Sequence, residues 1–504
     1  MPMTNAAEYL ERTAARVPDK IAFSDASGSL TFGQLLTRAR ALGTVLAGLP
    51  GCKNAPVAVL TGRTVQSVAA LQGVLQSGNY YVPIDEQMPE ARMRRILTQV
   101  HARAIVFSES SRPQAERLTD CAPLVCLEEA EKTVPDDALL QARREQIIDL
   151  DPVYLLFTSG STGTPKGIVI SHRAILDFTD WLTDFCGYTE HEVFGNQSPF
   201  FYANSIIDIF PPALLGAKAC MIPATALSFP KTLVNYLRQK GITELTMTPS
   251  SFVQVANSGV LTENCLPELE YMIMSGEVMP WAQLAVWMNA APKGHAWNFY
   301  GSTEMFSVSV GKVEGNYEAG QLIPVGKPFP TVKIRFMTDD GQVAAPGEAG
   351  EMYVSSPMVS QAYYRDEERS RAVYVADPLG QEPGVWFRSG DYGFLDAQGR
   401  LNVLGRKDSM VKHHGYRMEL GEVEAALRSI PGCLEACCLL DKEQDVLWAF
   451  AVGNLTEKAL MDVLKTKLAR YMLPDKIVLL PELPHTANMK IDRQTLRKRM
   501  TEQG

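Results

Sequence analysis

The run FTSGSTGTPKG, Phe157 to Gly167, gathers residue types that suit an anion. Gly160 and Gly163 let backbone N–H groups converge on a ligand. Thr158, Ser159, Ser161 and Thr162 add hydroxyl donors, and Lys166 adds one mobile positive charge. The apolar stretch PVYLLFT (152–158) leads straight into it, and ISHRAILDFTDWL beyond it has helical spacing. A buried strand, a glycine-rich loop and a nearby helix form a setting in which phosphates are held. The spacing is not that of the GxxxxGK[ST] nucleotide loop. A plain surface loop is the other local reading, but a flexible linker seldom starts at the end of a buried strand.

Four more motifs follow in order: NFYGSTE, FRSGDYG, GRKDSMVKHHGYRMELGEVE and NMKIDR. With YLLFTSGSTGTPKG, the ordered set resembles the adenylate-forming superfamily. The likeness is above all to amino-acid adenylation domains of nonribosomal peptide synthetases and to D-alanine–carrier-protein ligases. It runs from AAEYLERTAARVPDKIAF to Lys490. The resemblance implies an AMP-forming acid–thiol ligase that uses ATP and Mg²⁺. A carboxylate acylates poorly because its leaving group would be oxide. Attack on the α-phosphorus of ATP gives an acyl-AMP anhydride and releases pyrophosphate. The site must bring two anions together, which calls for cations, a metal carboxylate and backbone donors.

The resemblance also implies roles. The opening loop wraps the β- and γ-phosphates. Thr303 contacts the α-phosphate and Glu304 holds Mg²⁺, which takes few hard oxygen ligands besides phosphate. Tyr300 stacks on adenine, with Gly301 beside it and Asn298 as the hydrogen-bonding partner. Gly276 and Glu277 of MSGEV line the adenine pocket. Asp391 accepts both ribose hydroxyls, a fit of two carboxylate oxygens to a vicinal diol. Arg406 is a second ribose contact. Asp408 is the hinge between a large and a small domain. Lys490 is the catalytic Lys of the first half-reaction, reaching the substrate carboxylate and the α-phosphate. Gly415 lets a pantetheine arm approach. Two residues depart from the family pattern: Ser302 stands where Pro is usual, and Met489 where Gly is usual.

The acid pocket departs further. Amino-acid adenylation domains read FDxSxxD, and the first Asp pairs with the substrate ammonium. Here FFYANSIIDIF puts Ala203 at that place, and Asn204 next to it is neutral. An unpaired ammonium in a closed pocket costs several kcal/mol. The same alignment gives a pocket of Ala203, Asn204, Ile207, Thr246, Ile273, Ser275, Phe299, Ser307 and Val308, with three hydroxyls and no carboxylate. The expected substrate is an aryl or hydroxy acid, or an amino acid whose amine is displaced or masked.

Elements must carry these groups. Strand-like runs APVAVL, ARAIVF, APLVCL, PVYLLFT and YMIMSGE alternate with helical patterns, which predicts parallel sheets faced by helices. The expected fold is α/β. A large N-terminal domain, 1–405, holds two βα-layered subdomains and a small β subdomain from about 325. A mobile α+β lid, 406–504, follows.

The chain has 504 residues, 46% of them apolar, and a net charge of −9. From Asp408 onward acidic and basic residues balance, so the excess lies before it. This argues against a nucleic-acid partner. No apolar run suggests a signal peptide or membrane span, and a cytoplasmic location is expected. The nine cysteines include no CxxC pair and read as small buried hydrophobes. Cys437 and Cys438 are adjacent, and His413–His414 reads as a loop feature. The expected function is a freestanding enzyme that loads a carboxylic acid onto a separate phosphopantetheinylated carrier protein. The alternatives are an acyl-CoA synthetase and a non-catalytic nucleotide-binding relative.

Overall fold

The computed structural model describes residues 3–158, 166–318, 321–406, 410–413, 416–441, 444–468, 472–486 and 489–503. Ser159, Gly160, Ser161, Thr162, Gly163, Asp408 and Gly415 lie outside the described residues.

Period-2 burial on both faces builds the first sheet. In the strand Pro56–Thr61, Val57 and Val59 join one core cluster while Ala58 and Leu60 join another on the opposite face. Its parallel neighbours are Tyr80–Asp85 and Ala104–Phe107. Six strands assemble in all, parallel except at one edge. At that edge Pro152–Thr158 pairs antiparallel with Lys166–Ser171, Thr158 opposite Lys166. The phosphate-loop sequence therefore joins two strands of a hairpin, rather than a strand to a helix. The expected helix begins later, at His172–Cys186, and Ser171 caps it by accepting from the Ala174 N–H at 3.2 Å. Ile168 and Ile170 alternate with Val169 in a strand pattern too short for sequence periodicity to separate from the helix that follows.

The second sheet has nine strands. Its parallel centre includes Val193–Asn196, Glu244–Met247, Tyr271–Ser275 and His295–Tyr300. In open parallel sheets, ligands collect beyond the carboxyl ends of the strands. Ser275, Gly276 and Tyr300 stand there. A third, antiparallel sheet of five strands includes Lys333–Met337, Gly350–Ser355, Trp386–Leu395 and Leu401–Arg406. It contributes Asp391 opposite Arg406.

The small C-terminal domain builds a separate core on the three-stranded sheet of Cys433–Asp441, Val446–Gly453 and Lys476–Leu480. The first of these strands is the cysteine run, which carried no strand expectation. Cys437 and Cys438 pack into clusters on opposite faces of the sheet. All nine cysteines are free thiols and most are buried. His413 sits on the strand Met410–His413, not in a loop. It is buried, with Nε2 2.8 Å from an Asp475 carboxylate oxygen. No helix among the described residues is long and apolar enough to cross a membrane.

Candidate active site

Two sheets and the small domain meet around Gly276. The residue follows the strand Tyr271–Ser275 with φ of +96°, a backbone state that favours glycine. Lys490 Nζ donates to its carbonyl oxygen at 3.4 Å, across a sequence separation of 214 residues. A Cβ at position 276 would lie 3.3 Å from that ammonium. The missing side chain thus leaves room for the Lys. Next to it Glu277 turns its carboxylate away to cap a helix: Oε2 accepts from the Ser250 N–H at 3.0 Å and from the Ser250 hydroxyl.

The strand His295–Tyr300 and the turn after it hold the nucleotide candidates. Asn298 is buried, and its Nδ2 donates to the Ile323 carbonyl at 3.0 Å. The Tyr300 hydroxyl donates to Asp391 Oδ2, and Arg406 Nη1 stands 3.7 Å from Asp391 Oδ1. These three come from different elements and form one chain of contacts. Gly301 permits the tight return of the backbone, since a Cβ there would lie 2.0 Å from the Phe306 carbonyl. Thr303 is half-buried beside Glu304. Glu304 Oε1 accepts from the Tyr363 hydroxyl at 3.1 Å, and Lys166 Nζ lies 3.4 Å from that same hydroxyl. Among the phosphate-loop residues, Thr158 and Lys166 are therefore placed. Tyr363 carried no signal in the sequence, because nothing in SQAYYRDEE marks one Tyr above its neighbour.

A narrow cavity of about 20 Å³ lies beside these groups. Ala203, Asn204, Ile207, Ser275, Phe299 and Ser307 line it, as does Gly301. Thr246, Ile273 and Val308 do not. Ile273 and Val308 are packed in the core, and the Thr246 hydroxyl is spent on Glu244 Oε1 at 2.6 Å. The three expected pocket hydroxyls become two. Phe178 and Phe306 take the remaining wall, in an edge-to-face pair with centroids 4.7 Å apart. Only the fold could place Phe178, which comes from the helix His172–Cys186.

Ala203 opens a 3₁₀ turn, Ala203–Asp208, and its last residue is unusual. Asp208 is fully buried; one oxygen accepts from Asn196 Nδ2 at 2.7 Å, and the other has no partner among the described residues. Glu244 is equally buried, and its Oε2 has none there either. Burial pushes both carboxyls well above the usual range, and Asp208 raises Glu244 further.

A profile of the AMP-binding enzyme family matches residues 10–364, and that of the AMP-binding enzyme C-terminal domain matches 422–490. The chain belongs to the AMP-binding enzymes. Among its relatives is the D-alanine–D-alanyl carrier protein ligase of Lacticaseibacillus casei strain BL23, 30% identical over 98% of both chains. A mycosubtilin synthase of Bacillus subtilis is 28% identical over 97% of this chain and 19% of its own length. The anthranilate CoA ligase AuaEII in complex with anthranoyl-AMP superposes with a TM-score of 0.85 at 24% identity. That match covers 100% of this chain and 98% of that one. The AMP-binding enzyme described here is an AMP-forming ligase with the adenylate-forming fold. The resemblance of its five motifs is thereby explained.

Proposed function

We propose that this AMP-binding enzyme activates a small carboxylic acid lacking an α-ammonium recognised in the usual way, and passes it to the phosphopantetheine of a separate carrier protein. The observation that carries the reading is the Lys490 ammonium over Gly276, beside the cavity that Ser275 lines. On this reading the cation would meet the substrate carboxylate and the α-phosphate and offset charge that develops in the transfer. Asn298 uses its amide donor on Ile323, which leaves its oxygen as acceptor for an adenine amino group. Asp391, braced by Tyr300 and Arg406, suits the ribose diol.

Mg²⁺ supplies charge neutralisation at the phosphates. The half-buried Glu304 fits it, as one hard carboxylate oxygen donor beside the Lys166 cation. The lid would be residues 406–504, turning about Asp408, with Gly415 beside the pantetheine arm. A carrier acceptor in trans is supported by the carrier-protein ligase matched over 98% of its own length. The acid is inferred from the cavity lining: Asn204, two hydroxyls, aromatic and aliphatic walls, and no carboxylate. That lining suits an aryl or hydroxy acid. It equally suits coenzyme A ligation of such an acid, which the acceptor arm of the experiment separates.

The test is acid-dependent pyrophosphate exchange over L-amino acids, D-alanine, β-amino, hydroxy and aryl acids, followed by transfer to a holo carrier protein or to coenzyme A. An aryl or hydroxy acid should give the strongest exchange. A strong signal with an ordinary L-α-amino acid would overturn the substrate reading. Lys490→Ala should lower exchange by roughly 100-fold or more, on the order of a lost electrostatic donor, while ATP still binds. Unchanged exchange would remove Lys490 from its role.

A further inference from the structure

We propose that Tyr363 is a positioning residue for the phosphate–metal end of the site, holding Lys166 and Glu304 near each other but apart. The proposal rests on the reading of Lys166 as a phosphate partner and Glu304 as the Mg²⁺ carboxylate. The Tyr363 hydroxyl donates to Glu304 Oε1 at 3.1 Å and accepts from Lys166 Nζ at 3.4 Å. The same ammonium lies 4.9 Å from the centre of the Tyr363 ring, within the range of a cation–π contact. No direct Lys166–Glu304 ion pair forms within 4.0 Å among the described residues. One hydroxyl therefore stands between two opposite charges.

The surroundings fix this hydroxyl. Tyr363 is 4% exposed, and its ring meets Tyr374 edge-on at 5.3 Å. Its N–H donates to Ser370 Oγ at 2.9 Å, and a β-bridge joins it to Ile168. The next N–H, of Tyr364, donates to the Gly167 carbonyl at 2.8 Å. A few residues earlier, the Ser360 N–H donates to the Glu304 carbonyl at 2.8 Å. The segment 360–364 thus holds the backbone of both charged residues' neighbourhoods, on one side through Gly167 and on the other through Glu304.

The consequence is competition. Without the hydroxyl, the two charges have nothing between them and would close into a direct pair. That pair must be broken before ATP and its metal can use either group. A substrate-binding cost of this kind raises the KM for ATP–Mg²⁺ and leaves the bound complex little changed.

The experiment is pyrophosphate exchange titrated with ATP at several Mg²⁺ concentrations, with thermal melting alongside. Tyr363→Phe should raise the KM for ATP–Mg²⁺ roughly tenfold, the weight of one charge-assisted hydrogen bond, with kcat within about threefold. In a Lys166→Gln background, the same substitution should add almost nothing, because the pair it guards is gone. Lys166→Gln and Glu304→Gln alone should each weaken the ATP–Mg²⁺ dependence. If those two leave it unchanged, the reading of the site itself fails, and the proposal with it. If they shift it while Tyr363→Phe does not, the site reading stands and the Tyr363 proposal is overturned. A Tyr363→Phe effect of equal size in both backgrounds overturns it as well.

Discussion

Met489 precedes the catalytic-Lys candidate in a left-handed conformation, φ +59°, although it has a side chain. The Thr486 N–H donates to the Lys490 carbonyl at 2.7 Å and the Met489 N–H to the Thr486 carbonyl at 2.9 Å, which fixes this tight turn. A non-glycine residue there costs about 1–2 kcal/mol, and a β-branched one more. Met489→Gly should therefore keep pyrophosphate exchange within about twofold of the parent, whereas Met489→Val should slow it by about tenfold or more. Equal rates for the two would show that the backbone state at 489 does not govern the Lys. The sequence alone marked this position as the place where the family has Gly. It could not show that the Met adopts the glycine-like conformation and so keeps the turn. Lys490 and Glu304 were singled out by the resemblance of their motifs. Tyr363 was not, because its role depends on a through-space neighbour supplied by another strand.

The turn Ala203–Asp208 forms the floor of the acid cavity at one end and carries a buried carboxyl at the other. Asp208 and Glu244 share an interior in which both cannot ionise at little cost. Their folded-state pKa values are raised, so the folded form keeps protons that the unfolded chain releases above about pH 4. Stability is then greatest at or below the unfolded value and declines as pH rises toward the folded one. The slope is about 1.4 kcal/mol per pH unit for one such group. Asp208→Asn should flatten the fall of the melting temperature as pH rises above the unfolded carboxyl value of about 4. A decline as steep as in the parent would place the pH dependence elsewhere. The element was half legible: YANSIID located the pocket and exposed the missing Asp. The partner Glu244, fully buried on a strand, read only as part of a sheet. The phosphate loop shows the opposite limit. Its composition was plain, but the strand Lys166–Ser171 blended into the helix beyond, so the hairpin was missed.

At the scale of the whole molecule, the parallel sheets followed from β–α alternation. The nine-stranded sheet collects strands far apart in the chain, and no local pattern could have joined Ile21–Ser24 to Lys218–Met221. The meeting of the large and small domains was equally out of reach. His485 pairs with Glu435 at 3.1 Å, which raises its pKa, and the negative charge of Glu277 in the large domain raises it a little further. The protonated ring adds an attraction across the two domains. It is present at low pH and lost as pH rises through the raised value. The loss of that attraction should lower pyrophosphate exchange about two- to fivefold as pH rises, given partial exposure, and His485→Gln should remove this pH dependence. An unaltered profile would exclude His485 as the titrating group.

The absent side chain at Gly276 gives the large domain control over the small one. The small domain brings the Lys490 ammonium, yet the room for it is set by a glycine of the body. A side chain at 276 would crowd the Lys490 ammonium at 3.3 Å and strain a backbone held at φ +96°, so a change in the body reaches the small domain's Lys without touching that domain. On the proposed reading of Lys490, a single codon in the body would then weaken the making of the anhydride while leaving every residue of the small domain as it was.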